Sequence, residues 1–128
     1  MTMSKQTLQL LEQDFSIHSL DVDQAIPDQV LACDIFFISK TLEELSIVCP
    51  ADVSIDSFAV ERHWRALEVI GPLGFSLTGI MANISGVLAE AKISIFAIST
   101  YDTDYVLVKE QQIQDAIDAL KKDGYTVL

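Results

Sequence analysis

The strongest constraint on the fold is a change in hydrophobic period that occurs twice in the second half of the chain. Residues 64–70 form a short run with β-branched and aromatic side chains, typical of a strand, and the Gly-Pro-Leu-Gly sequence at 71–74 indicates a turn. Apolar residues then recur at i, i+3, i+4 and i+7, which predicts an amphipathic helix over residues 77–91 with Ser76 or Thr78 as its N-cap.

After this helix the sequence pattern is typical of strands again, and a second helix and a last strand follow. Residues 93–100 and 105–108 are β-rich and are joined by four residues that favour a tight connection, so they predict a hairpin. Residues 113–120 predict a second amphipathic helix with Gly124 as its C′ residue, and residues 125–128 predict a last strand. The order β-α-β-β-α-β indicates an α+β, ferredoxin-like fold, in which two helices pack on one face of an antiparallel sheet.

The first half of the chain reads as a truncated copy of the same arrangement. Its predicted elements are a strand over 7–17, a short helix near 27–33, and strands over 35–39 and 45–49. No second helix is predicted, and residues 52–61 read as a connecting segment or an additional edge strand. We therefore expect two units, at 1–62 and 63–128.

Charge and composition exclude several classes of partner. Eight basic and nineteen acidic residues give a net charge of −11, which opposes binding to nucleic acids and to anionic membranes. No segment approaches the ~20 apolar residues of a membrane span, so a cytoplasmic protein is expected. Cys33 and Cys49 belong to no metal-binding or redox motif and are interpreted as small core residues, and Trp64 is expected in the core as well.

Motifs for catalysis are also missing from the sequence. His18 and His63 lie in different halves, and neither is near a serine or cysteine in a nucleophile motif. Residues 71–79 match neither GxGxxG nor a Walker A loop, and the spacings of dedicated metal sites are absent. No enzyme activity, metal or cofactor is therefore predicted.

One turn nevertheless has features of a binding site. Glycines at 71, 74 and 79 surround the start of the predicted helix, where backbone N–H groups and the helix dipole favour an anionic group such as a carboxylate. The alternative is structural, since Gly71 and Pro72 then only form the turn and Gly79 only permits close packing.

A second set of polar residues complements this turn. Asp102 and Asp104 follow Ser99, Thr100 and Tyr101 at the end of the strand after the helix, and this strand is expected beside the one entering the glycine turn. Hydroxyl and carboxylate groups there suit an ammonium group, so the two sets together suit an amino acid. The alternative for Asp102 and Asp104 is ordinary turn formation through side-chain bonds to the backbone. Three aromatic residues could line such a pocket, although aromatics at strand ends more often pack in a core or an interface: Phe75, Tyr101 and Tyr105.

These residues resemble a known family. Residues 64–79 and 93–109, the latter containing Ile98-Ser-Thr-Tyr-Asp-Thr-Asp104, are similar to the ACT domains of small stand-alone bacterial proteins, which are related to aspartate kinase regulatory domains and CASTOR-type arginine sensors. Residues 36–41 and 44–49 resemble the degenerate N-terminal ACT-like unit of that group. The resemblance implies two tandem ACT-like units, the first degenerate.

The resemblance also implies a site. In ACT domains an effector, usually an amino acid, binds at an interface between units. The contacts implied here are Gly74, Phe75, Ser76, Leu77, Thr78 and Gly79 on one side and Ser99, Thr100, Tyr101 and Asp104 on the other. The residue at the Asp104 position contacts the ligand in the arginine sensors, whereas Leu77 replaces an acidic residue of those sensors and Gly74 replaces an Asp of related bacterial chains.

The sequence therefore leads to two hypotheses. The first is a non-catalytic regulatory module that binds a small ligand, an amino acid of open identity, and forms a homodimer. The alternative is a ligand-free dimerisation or protein-interaction module. A metabolic enzyme is a third and more remote hypothesis.

Overall fold

The structure is a computed structural model that describes residues 5–70 and 79–128. Its elements are β1 (Thr7–Leu20), α1 (Asp28–Leu31), β2 (Phe37–Lys40), β3 (Leu45–Pro50), β4 (Ala59–Ile70), α2 (Ile80–Glu90), β5 (Ile95–Ser99), β6 (Asp104–Lys109), a 3₁₀ turn (Glu110–Gln112), α3 (Ile113–Lys122) and β7 (Thr126–Val127). The predicted element order is confirmed, and the fold is of the α+β class. Among the described residues, no helix is long and apolar enough to cross a membrane.

The chain divides into two compact units. The C-terminal unit comprises the chain up to Glu12 together with the chain from Arg65 onward, and the N-terminal unit is Gln13–Trp64. Both β1 and β4 therefore contribute residues to both units. The boundary between residues 62 and 63 stays a prediction.

In the C-terminal unit the strands follow the order β1, β4, β6, β5, and β7 pairs with β1 in parallel at Thr7 and Leu8. The hairpin of β5 and β6 is confirmed, with Ile95 opposite Val108 and Ser99 opposite Asp104. The expectation that the strand after α2 lies beside β4 is wrong. The helical crossover leaves a gap one strand wide, and β6 fills it when the hairpin returns, so β5 is the edge strand.

Alternation along the strands builds the core of the C-terminal unit. Leu67 and Val69 on β4 and Val106 and Val108 on β6 point to the face that the helices cover, and all four are fully buried. The helices contribute Ile84, Leu88, Ile113, Ala116, Ile117 and Leu120 to the same cluster. The predicted apolar faces of both helices are confirmed, because the residues that repeat at helical spacing are those that the sheet buries.

The N-terminal unit covers its sheet differently. Strands β2, β3 and β1 are antiparallel neighbours, and Leu20, Leu45 and Ile47 form a cluster with Val30 of the single-turn helix α1. Among its described residues α1 is the only helix, and Val53 and Ile55 from the segment before β4 pack against this cluster. The segment expected at 52–61 is thus a connection up to residue 58.

Most of the residues that were expected in the core are buried in the structure. Cys49 is fully buried and Trp64 is nearly so, whereas Cys33 is only half-buried, and both cysteines are free thiols. Burial raises the pKa of the Cys49 thiol to about 11, with smaller contributions from Cys33 and Asp52. Cys49 therefore stays a neutral core residue at ordinary pH.

Helix α2 begins at a glycine. Its N-cap is Gly79, with φ at +80° and no side-chain cap, so the prediction of Ser76 or Thr78 as N-cap is wrong. A left-handed residue interrupts helical geometry, and glycine adopts that conformation at no steric cost. The end of α3 was predicted correctly, since Gly124 follows the C-cap with φ at +101°.

Two glycines of α2 provide a matched test of this start. Replacing Gly79 by Ala is expected to lower the free energy of unfolding by about 1 kcal/mol, because an L-residue is strained at positive φ although its Cβ would meet no atom of the described residues within 4 Å. Replacing Gly86 by Ala is expected to raise it by about 0.5–1 kcal/mol, because Gly86 lies inside the helix and its surroundings are equally open. Urea denaturation measures both, and effects of the same sign would contradict a left-handed start.

Candidate functional site

The hairpin brings two of the candidate residues together. Ser99 and Asp104 are directly opposite each other in the antiparallel pair of β5 and β6, so their side chains project from the same face. Val106 and Val108 on β6 point into the helix-covered core, and alternation places Asp104 on that same side. Asp104 is half-buried and Ser99 is exposed. A hydroxyl and a carboxylate thus share the helix side of the sheet at one end of the hairpin.

The turn between the strands uses the next candidate for its own structure. The Thr100 hydroxyl donates to the Thr103 carbonyl at 3.0 Å and accepts the Thr103 backbone N–H at 3.3 Å. The Thr100 backbone N–H also donates to that carbonyl, at 2.8 Å. Tyr101 projects outward and is 80% exposed. Thr100 therefore closes the turn, whereas the sequence analysis assigned such turn bonds to Asp102 and Asp104.

The same turn lies against the end of β4. The Thr103 hydroxyl donates to the Val69 carbonyl, one residue before the end of the strand. The Tyr105 hydroxyl donates to the Glu68 carboxylate at 3.1 Å, on the face opposite Asp104. Burial, and then Glu68, raise the pKa of Tyr105. The adjacency of the hairpin to the strand that enters the glycine turn is therefore real, but β6 and its turn provide it instead of β5.

The other half of the candidate site is only partly described. Gly74, Phe75, Ser76, Leu77 and Thr78 lie outside the described residues, together with the rest of the turn from Gly71. Gly79 is exposed at the start of α2. The facing of the helix start with Ser99 and Asp104 stays a prediction.

A polar network that the sequence analysis missed fixes the first turn of α2. The Asn83 side-chain amide donates to the Tyr125 hydroxyl at 2.5 Å and to the Asp123 carboxylate at 3.3 Å. Asp123 also pairs with Lys5 at 3.3 Å, and the Lys5 ammonium lies 5.4 Å from the centroid of the Tyr125 ring. The partners of Asn83 lie 40 and 42 residues later in the sequence, so local spacing carried no signal of this contact.

The structure also gives one histidine a hydroxyl partner, which the sequence did not indicate. The Nδ1 atom of His18 lies 3.0 Å from the Ser57 hydroxyl, and the imidazole is 3% exposed. Burial, and then Arg62, lower the pKa of His18. The Nε2 atom has no hydrogen-bond partner among the described residues, so the pair lacks the orienting group of a catalytic triad there.

Two further features complete the survey of the described ranges. No group of three or more His, Cys, Asp or Glu side chains within residues 5–70 and 79–128 is arranged to hold a metal ion. A groove of about 420 Å³ lies between α2 and α3. Its lining residues are Val87, Glu90, Ala91, Ala119, Lys122 and Asp123. It is open and mixed in polarity, and the candidate ligand contacts do not line it.

Comparison with known proteins identifies the family. Residues 59–122 match a family model described as an ACT domain. Residues 13–56 match a second model, described as an N-terminal domain. The mouse protein called cytosolic arginine sensor for mTORC1 subunit 1 is 42% identical over 88 residues, which are 67% of this chain and 26% of the sensor. The human protein of that name is 42% identical over 74 residues, 57% of this chain and 22% of the sensor.

This chain spans about a quarter of the length of these curated relatives. A crystal structure of an Agobacterium tumefaciens protein matches with a TM-score of 0.89 and 31% identity, covering 98% of this chain and 94% of that chain. The regulatory subunit of aspartate kinase from Thermus flavus shares the fold, with a TM-score of 0.67 and 12% identity over 94% of this chain and 98% of the subunit. The chain belongs to the ACT domain family and consists of two tandem ACT-like units, of which the N-terminal one is degenerate.

Proposed function

We propose that this protein is a non-catalytic regulatory module that binds a free amino acid at an interface between ACT units. The observation that carries the proposal is the placement of Asp104 and Ser99 on the helix side of the hairpin, where the turn of that hairpin bonds to the end of β4. The names of the relatives support it, since they include an arginine sensor and aspartate kinase regulatory subunits. The sensor is called cytosolic, which supports a cytoplasmic location for this protein as well.

The proposed contacts bind the two charged groups of the amino acid at two different places. The Asp104 carboxylate and the Ser99 hydroxyl accept hydrogen bonds from the α-ammonium group, and the half-burial of Asp104 strengthens such a bond relative to one in open water. The α-carboxylate lies at the start of α2, where backbone N–H groups and the helix dipole favour an anion. The proposed contacts on that side are Gly74, Phe75, Ser76, Leu77, Thr78 and Gly79, and Thr100 and Tyr101 complete the hairpin side.

The charge of this set limits the choice of ligand. Asp104 is the only carboxylate among the ten proposed contacts, because neither Gly74 nor Leu77 is acidic. One carboxylate is sufficient for the α-ammonium group of any amino acid. A second cationic group, such as the guanidinium of arginine, has no carboxylate of its own in the set. The amino acid is therefore identified by screening and not assumed from the relatives.

Thermal unfolding in the presence of each of the twenty amino acids tests the proposal. A ligand that binds only the native state stabilises it by about 2.7 kcal/mol at 100 times its dissociation constant, so one amino acid or a small related group is expected to raise Tm. Asp104→Asn should abolish that increase because it removes the charge that pairs with the ammonium. Asp102→Asn, a matched change in the exposed turn, should preserve it. A flat profile at millimolar concentrations would favour the ligand-free interaction module instead.

The proposal includes a homodimer formed along β5. This strand is the edge of the C-terminal unit, and the eight residues from Ile93 to Thr100 carry no charge in a chain of net charge −11. Unpaired, uncharged edges are templates for pairing with another strand, and two copies related by a two-fold axis pair antiparallel. Like charge opposes association of two copies elsewhere on the surface, whereas this edge is neutral.

Two matched alanine substitutions test the dimer. Ala97 is exposed at the centre of β5, so Ala97→Glu places a negative charge from each copy at the seam and is expected to reduce the mass in solution to the 14.1 kDa of one chain. Ala89→Glu adds the same charge at an exposed position of α2 and should leave a dimer of twice that mass. Sedimentation velocity distinguishes the two. A wild-type monomer, or an Ala97→Glu dimer, would contradict pairing along β5.

A further inference from the structure

The segment that covers the sheet of the N-terminal unit is extended and faces the sheet with every second residue. Residues 51–58, which we call the strap, alternate in exposure, and the half-buried positions are Val53, Ile55 and Ser57. Val53 and Ile55 pack against the apolar cluster that contains Cys49. The third inward position, Ser57, is polar and bonds to His18 instead of packing on the apolar cluster.

Hydrogen bonds from several elements hold the strap. The Ala51 N–H donates to the Asp14 carbonyl at 2.9 Å, and the Phe58 N–H donates to the Ser19 carbonyl at 2.8 Å. The side-chain amides of Gln29 and Gln24 donate to the Ser54 and Asp56 carbonyls, at 2.9 and 2.7 Å. The bond between His18 and Ser57, at 3.0 Å, is the one in this set that involves an ionisable side chain.

The surroundings of His18 disfavour its charged form. On β3 its neighbours on the same face are Ile47, directly opposite, and Cys49, which is opposite Ser16. The Ser16 hydroxyl and the His18 Nε2 atom are both buried and without a hydrogen-bond partner among the described residues. A protonated imidazole carries an N–H on both ring nitrogens and a positive charge, and its buried Nε2 N–H has no acceptor among the described residues.

The charged residue that acts on His18 also disfavours the protonated form. Arg62 on β4 is the charged residue whose field reaches the imidazole, and it lowers the pKa after burial, the larger cause. Asp52, at the start of the strap, acts on Cys49 instead. Asp56 is exposed beside Ser57, and its carbonyl is the acceptor for Gln24. The buried apolar surroundings and the positive charge of Arg62 therefore both disfavour the protonated form of His18.

We propose that the strap is released by protons: protonation of His18 frees the Ser57 end of residues 51–58 and uncovers the apolar cluster of the N-terminal unit.

The sign of this effect follows from the two states of the strap. With the strap closed, the pKa of His18 is below its ordinary value of 6.5, and with the strap open the imidazole meets water and regains that value. The open state therefore binds a proton more readily than the closed state does. The closed state is favoured above pH 6.5 and loses stability as the pH falls, by up to about tenfold in the opening equilibrium for each pH unit.

Hydrogen exchange of the full chain tests the proposal, with rates corrected for the intrinsic pH dependence of exchange. Between pH 7.5 and 5.5, the opening equilibrium reported by the Phe58 amide is expected to rise by up to about tenfold. Amides in α2 and β6 should keep their protection over this range. A corrected rate for Phe58 that does not change with pH, or an equal loss of protection in α2, would overturn the proposal.

The two histidines of the chain provide a matched control. His18→Gln keeps a polar group that cannot be protonated and is expected to remove the pH dependence at Phe58. His63→Gln changes the exposed histidine of β4 and should leave that dependence as in the wild type. A pH dependence that survives His18→Gln, or that disappears in His63→Gln, would refute the role of His18.

If His18→Gln does not fold, Ser57→Ala keeps the imidazole and removes the contact. It is expected to increase exchange at Phe58 already at pH 7.5 while α2 stays protected. An unchanged rate at Phe58 in this variant would show that Ser57 does not hold the strap.

Discussion

The pairing of β6 with β4 is the interaction on which the C-terminal unit and its candidate site both depend. Leu67, Val69, Val106 and Val108 project from these two strands into one core and are fully buried. Each such side chain contributes about 1.5–3 kcal/mol, and a slip of one residue would turn a whole strand's set to the other face. The register is therefore strongly specified. The same register fixes Asp104, two residues before Val106, on the helix side.

Local periodicity explains what the sequence predicted and where prediction failed. The periods of 2 and 3.6 residues are properties of short segments, so the order of the elements and the apolar faces of α2 and α3 were predictable. The neighbour of β4 is a non-local property, and it was predicted incorrectly as β5. The N-cap of α2 was predicted incorrectly for a different reason. Ser and Thr are common N-cap residues, and only the backbone conformation shows that Gly79 is left-handed.

The candidate site shows the same division between local and distant contacts. Ser99 and Asp104 were predictable together because one short turn sets their register. The role of Thr100 was not, since a threonine in that position suits a turn bond and a ligand bond equally. Asn83 with Tyr125 and His18 with Ser57 join residues 42 and 39 positions apart, and neither pair belongs to a motif. Such contacts arise only when the sheet brings distant segments together.

The two units cover their sheets with different kinds of contact, and these contacts differ in how they respond to pH. In the C-terminal unit two helices of eleven and ten residues bury a continuous apolar face. In the N-terminal unit the strap packs Val53 and Ile55 against the cluster and is also held by hydrogen bonds, each worth about 0.5–1.5 kcal/mol. Apolar packing is insensitive to pH, whereas a bond to a buried histidine is not. The proposed ligand contact therefore lies in the unit whose core two helices cover, whereas the proposed pH response lies in the degenerate unit.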